Sequence, residues 1–116
     1  MQIISDYTLY YFFEAMVNDL SSEDRNWYIQ TLKKDSERPL VVHNKTGQIT
    51  VVLNGRGIVS DGEKRFDIVK TNIILINSKC PHSFFTDEKL QLMHIHIPAT
   101  TIKEDREILI EYFDTV

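Results

Sequence analysis

Between residues 27 and 97 the sequence alternates short β-rich runs with turn signals, and that rhythm limits the possible folds more than any other feature. Strands at roughly 8–12-residue spacing with turns between them make antiparallel sandwiches or barrels. Trp27-Tyr28-Ile29-Gln30-Thr31-Leu32 is rich in aromatic and β-branched residues and stops at the polar turn Lys33-Lys34-Asp35-Ser36-Glu37. The run 48–53 alternates and then meets Asn54-Gly55, a strong turn signal. The run 57–60 leads into Asp61-Gly62, which tolerates positive φ and predicts a two-residue hairpin turn before a strand over 63–69. Asn72-Ile73-Ile74-Leu75-Ile76 is a continuous apolar run, as expected of a strand buried on both sides. Leu90 to Ile97 is another strand, ended by Pro98, which cannot donate to a ladder.

The two ends read differently. Residues 7–13 hold five of the chain's 12 aromatics and predict a core or edge strand, or an arm that packs on something else. From Thr101 the spacing turns helical: Thr101 and Glu104 make a capping box, and Ile102, Leu109, Tyr112, Phe113 and Val116 share one stripe. The expected organisation is one domain over 1–116. It comprises an N-terminal arm or strand region over about 1–26, a barrel over 27–98 and a C-terminal helix over 101–116. The apolar stripe and the aromatic N-terminus together predict a homodimer, because apolar patches of several hundred Å² usually mark interfaces.

Composition narrows the function. At 116 residues, 42% hydrophobic and 26% charged, with 4 Gly and 3 Pro, the chain has the make-up of one globular domain and not of a disordered segment. The balance of 13 basic against 17 acidic residues gives −4, which repels phosphate backbones and argues against direct nucleic-acid binding. Apolar runs such as Ile73–Ile76 fall far short of the ~18–20 residues of a membrane span, and the start has no signal-peptide pattern. The single cysteine, Cys80, cannot form an internal disulfide, so the expected setting is reducing and cytoplasmic. Cys80 sits two residues from His82 in a turn, where a thiol is usually inert.

The segment 40–97 resembles the cupin family of small β-barrels. The family's first motif runs His-x-His, then Glu, then Gly at a turn. Here Gln48 stands seven residues before Gly55, His43 takes the second His position and Val41 the first. In the second motif Thr71-Asn72 replaces the usual Gly-Asp, Asn72–Ile76 is the strand, and Pro81-His82-Ser83-Phe84 matches the family's turn and strand start. The order Ile76-Asn77-Ser78, Pro81-His82-Ser83 and His94-Ile95-His96-Ile97 is most similar to the N-terminal effector-binding domains of AraC/XylS-type transcription regulators.

The resemblance implies an all-β, antiparallel, jelly-roll-like cupin barrel that binds a sugar or other polar metabolite without catalysis, with no cofactor. It implies ligand contacts at His43, Gln48, His82, His94 and His96, with His43 and His82 close together inside the barrel. His94 and His96 lie two apart on one strand and so share a face, which the sequence leaves open. The DNA-binding half of such regulators is separate, and no basic recognition helix occurs in these 116 residues, so the resemblance implies either a sensor domain alone or a fragment of a longer regulator. The alternative is a metal-dependent dioxygenase or isomerase, with a divalent metal held by His82 together with His43 or with His94 and His96. Against it, Val41 and Gln48 replace a histidine and the carboxylate that would balance the metal's charge.

Overall fold

The computed structural model describes residues 1–19, 27–34, 39–97 and 106–110. In chain order its elements are β1 (Gln2–Ser5), α1 (Tyr7–Asp19), β2 (Trp27–Leu32), β3 (Leu40–His43), β4 (Gly47–Ser60), β5 (Arg65–Val69), β6 (Asn72–Ile76), β7 (Ser83–Phe85), β8 (Leu90–Ile97) and β9 (Arg106–Ile110). The long strand β4 organises them. Its first half pairs with β6 and β8, and its second half with β5 and β7, all antiparallel. β1 and β2 complete the first sheet in the order β1-β6-β4-β8-β2. β3 and β9 form a separate ribbon, joined to the second sheet where Val41 and His82 exchange backbone hydrogen bonds of 3.0 and 2.9 Å. One strand feeding two sheets, with neighbours distant in sequence, produces the jelly-roll barrel expected from the strand rhythm.

Asn54-Gly55 is not a turn. The pairing of β4 with β8 shifts register between Val52 and Asn54, so the chain bulges and passes from one sheet into the other without reversing. Gly55 has φ +84°, and a Cβ there would stand 2.1 Å from the Lys89 carbonyl oxygen, so this bend admits only glycine.

The hairpin at Asp61-Gly62 exists, but its loop is longer than two residues in strand terms, and the return strand begins at Arg65 instead of residue 63. The Asp61 carboxylate accepts the backbone N–H groups of Glu63 and Lys64 at 2.9 and 2.7 Å, an Asx turn that delays strand pairing. Those bonds hold the Asp61 carboxyl below its ordinary range. Gly62 takes φ +99°, as the turn chemistry requires.

Both ends correct the sequence reading. The aromatic run 7–13 opens the helix α1 instead of a strand or arm. Asp6 caps it: its side chain accepts the Leu9 N–H at 3.0 Å, and its carbonyl accepts the Tyr10 N–H at 2.9 Å. Tyr10, Phe13, Met16 and Val17 form its inner stripe. The C-terminal helix is replaced over Arg106–Ile110 by β9, paired with β3 from Leu40↔Ile110 to His43↔Arg106. The capping box and the rest of the predicted helix lie outside the described residues.

The first sheet buries apolar side chains on both faces, because both are covered. Alternate residues of β4, β6 and β8 (Val51, Leu53, Ile73 and Met93) meet α1 on the outside through Tyr10 and Phe13. The other set, Val52, Ile74, Ile76, Leu90 and Leu92, meets Val59, Ile68 and Phe84 of the second sheet inside. Period-2 alternation then vanishes from the sequence, which explains the unbroken run in β6.

Candidate functional site

The barrel interior changes from apolar to polar along its length, and strand register sets the change. On β8 the inward residues run Leu90, Leu92, His94, His96. Leu32 stands opposite Leu90, Gln30 opposite Leu92 and Tyr28 opposite His94 on β2. On the other side Val52 faces Leu92, Thr50 faces His94 and Gln48 faces His96. Leucines and valine fill one end, while the other end gathers imidazoles, amides and hydroxyls.

His43, Gln48, His82, His94 and His96 are all buried, each at most 5% exposed, at that polar end. Six rings make a closed circuit there. His43 stacks on His82 at 5.3 Å between centroids, and His82 meets Phe84 at 6.3 Å. Phe84 meets His94 at 5.5 Å, and His94 meets Tyr28 at 5.0 Å. Tyr28 stacks on His96 at 5.7 Å, and His96 returns to His43 at 5.0 Å. The shared face of His94 and His96 is therefore the interior one. The rings of the circuit other than His96 line a cavity of about 70 Å³ together with Gln30, Gln48 and Ser83.

Hydrogen bonds orient the central imidazole. Gln30 Oε1 lies 2.8 Å from His94 Nε2, and an amide oxygen only accepts, so Nε2 carries the proton. His94 Nδ1 then accepts from Gln48 Nε2 at 2.9 Å and from Thr50 Oγ1 at 2.8 Å. The second N–H of Gln48 reaches Thr50 Oγ1 at 2.7 Å. These proton positions are assigned from the network, with an amide oxygen toward Nε2 and an amide nitrogen toward Nδ1, the pattern of the Nε2–H tautomer. His82 Nδ1 pairs with the Cys80 carbonyl at 3.1 Å, the contact of a ring held by its own turn.

A resident divalent metal does not fit this donor set. Both His94 nitrogens are engaged by side chains, and the position of the balancing carboxylate holds an amide that directs its N–H groups inward. Among the described residues no group of three or more His, Cys, Asp or Glu side chains is placed to hold a metal ion.

Tyr28, Gln30, Thr50, Ser83 and Phe84 belong to the site but were not singled out from the sequence. Their strands were legible, yet their inward direction depends on pairing with β8 and β4, which no local pattern reveals. A larger concavity of about 620 Å³ lies on the outer face of the second sheet, floored by Phe85 and rimmed by Arg56, Arg65, Asp67 and Asp87. Its charged groups stand in solvent and lack the converging buried polar atoms of the interior, so the smaller cavity is the stronger candidate.

The fold has solved counterparts. A conserved protein with a double-stranded beta-helix domain from Klebsiella pneumoniae superposes with TM-score 0.67 at 11% identity, over 79% of this chain and 81% of that one. Streptomyces PAC13, solved with uridine, gives 0.59 at 13% identity over 78% and 74%. The oxalate decarboxylase of Lactobacillus farciminis gives 0.61 at 16% identity, over 72% of this chain and 26% of the enzyme. At such identities the likeness establishes the fold alone. No curated protein matches the sequence. The sequence does match the family described as "AraC-like ligand binding domain" across residues 22–111, which include every described barrel strand except β1. The chain belongs to the AraC-like ligand binding domain family.

Proposed function

We propose that the chain is a non-catalytic sensor: a single cytoplasmic cupin domain that binds a sugar or comparable polar metabolite on behalf of an AraC-type transcription regulator. The observation that carries this reading is the closed circuit of six rings bordering a hydrogen-bonding cavity. Its described lining contains no carboxylate, ammonium or guanidinium group. Such a lining suits a neutral molecule whose hydroxyls meet His43, Gln48, His82 and His94 and whose C–H faces meet the rings of Tyr28 and Phe84. The uridine in the Streptomyces structure, also neutral and polar, is in keeping with this class of ligand. The net charge of −4 favours a small molecule over nucleic acid as the direct partner.

Size supplies the mechanism. A cavity of about 70 Å³ holds roughly two waters at ~30 Å³ each, whereas ligand sites run ~300–1,000 Å³. A metabolite therefore sits wholly inside only if the cavity widens. Val41 and His43 belong to the β3–β9 ribbon, which is tied to the turn before β7 by the backbone bonds of Val41 with His82 and of His43 with Lys79. Ligand binding shifts the population toward an arrangement with this ribbon and turn swung away from His94.

Thermal denaturation with a panel of monosaccharides and polyols, alongside elemental analysis, tests the reading. At least one compound should raise Tm, by the equivalent of about 2.7 kcal/mol at a hundredfold excess over Kd. His82→Phe should abolish the rise. Stoichiometric Fe, Mn, Zn or Ni, with stabilisation that disappears on chelation, would favour the metal-dependent enzyme instead.

A further inference from the structure

The free edge of β5 carries a self-complementary charge pattern. Among the described residues β5 pairs with β4 alone, so its other edge is open. Which backbone groups face that edge follows from the ladder. Asp61 N–H bonds to the Lys64 carbonyl and Lys70 N–H to the Gly55 carbonyl, which brackets the hairpin with hydrogen-bonded pairs. Alternation then makes Val59↔Phe66 and Gly57↔Ile68 hydrogen-bonded, whereas Arg65, Asp67 and Val69 turn their N–H and C=O groups outward. Val69 N–H is already occupied by Asn72 Oδ1 at 2.9 Å. The open template is therefore centred on Arg65 and Asp67. Both side chains lie exposed on the outer face of the sheet, and the Arg65 guanidinium is steadied 4.6 Å from the Phe85 ring centroid.

We propose that β5 pairs antiparallel with β5 of a second copy of this chain about a two-fold axis at Phe66. Only pairings between outward-facing residues close hydrogen bonds, and charge selects among them. Placing Asp67 opposite Asp67, or Arg65 opposite Arg65, sets like charges side by side, which destabilises a sheet. The register with Phe66 on the axis sets Arg65 opposite Asp67 of the other copy, twice, with both backbone bonds of each pair made. Charged edges normally repel a second strand. Here the Arg-x-Asp order converts that defence into recognition of itself, and two-fold symmetry uses the same patch on both copies. The second sheets of the two copies then run on as one, and the His-lined cavity stays free on each. This assignment is independent of what the cavity binds.

Light scattering and amide exchange on the whole chain test it. The parent should weigh twice 13.6 kDa at tens of micromolar, and the Arg65 and Asp67 amides should gain protection as concentration rises. Arg65→Asp and Asp67→Arg should each weaken association at least tenfold, and the double swap Arg65→Asp with Asp67→Arg should restore it. A monomeric parent would overturn the proposal. So would exchange at Arg65 and Asp67 that is fast at every concentration, single variants that dimerise like the parent, or a double swap that fails to rescue. Amide exchange needs no variant, so it decides the matter even if the charge changes disturb folding.

Discussion

Thr71 holds φ +86°, a conformation that a β-branched residue adopts at a penalty. It stands where cupin sequences usually carry glycine, and the strain explains that preference. The neighbouring Asn72 accepts the Val69 N–H at 2.9 Å and donates to Ser5 Oγ at 3.0 Å, a bond that a carboxylate could not donate. Thr71→Gly should therefore stabilise the protein by about 1 kcal/mol in urea denaturation, strain relief outweighing the added freedom of the unfolded chain. Gly55→Ala should do the opposite, costing about 2–4 kcal/mol, because strain at positive φ adds to a backbone collision with Lys89. In the cavity, the amide nitrogen of Gln48 faces His94 Nδ1 at 2.9 Å, the contact of a donor to the Nε2–H tautomer. Glutamate has no N–H to offer, so Gln48→Glu should turn His94 into an imidazolium paired with the new carboxylate. Imidazole ¹⁵N shifts at neutral pH should report the Nε2–H tautomer in the parent and the doubly protonated ring in the variant. A charged His94 in the parent would refute the network as assigned.

At the level of elements, the strands were legible wherever local chemistry and tertiary pairing agree. β2, β6 and β8 have the bounds that their aromatic, β-branched and proline punctuation suggests. Tyr7 to Phe13 misled because strand propensity of aromatics competes with a helix start whose signal is one residue, Asp6, before apolar residues at helical spacing. Residues 106–110 misled in the opposite sense. Their side chains fit a helical stripe, but Ile108-Leu109-Ile110 also fits a strand, and pairing with β3 decides between the two. Asn54-Gly55 bears the mark of a hairpin but serves as a bulge, a distinction that depends on whether the chain beyond it can pair elsewhere. α1 also carries a pH signature. Burial, then the hydrogen bond to Glu14 Oε2 at 3.0 Å, pushes the Tyr10 hydroxyl up to about 12. A group with a raised folded value contributes its stability below the unfolded value, near 10 for tyrosine, and loses it as pH rises toward 12. Alkaline unfolding of the parent should thus steepen across that window, and Tyr10→Phe should flatten it.

Across the whole molecule, one strand shared by two sheets produces an interior with an apolar end and a polar end, and the polar end is the candidate site. His43, Gln48, His82, His94 and His96 lie together at that end, because spacing along β3, β4 and β8 and the turn before β7 fix their height in the barrel. Tyr28, Gln30 and Phe84 were not legible, since β2 and β7 reach the cavity only through long-range pairing. The central claim is that this cavity, and not the outer groove beside Arg65 and Phe85, takes a neutral polar ligand without a metal. Imidazole ¹H–¹⁵N spectra recorded during titration with a monosaccharide panel, in the presence of a chelator, test it most directly. Saturable changes at His43, His82 and His94 with at least one sugar are the predicted result. Rings that stay unmoved while resonances around Phe85 respond, or that respond only once divalent metal is added, would contradict it.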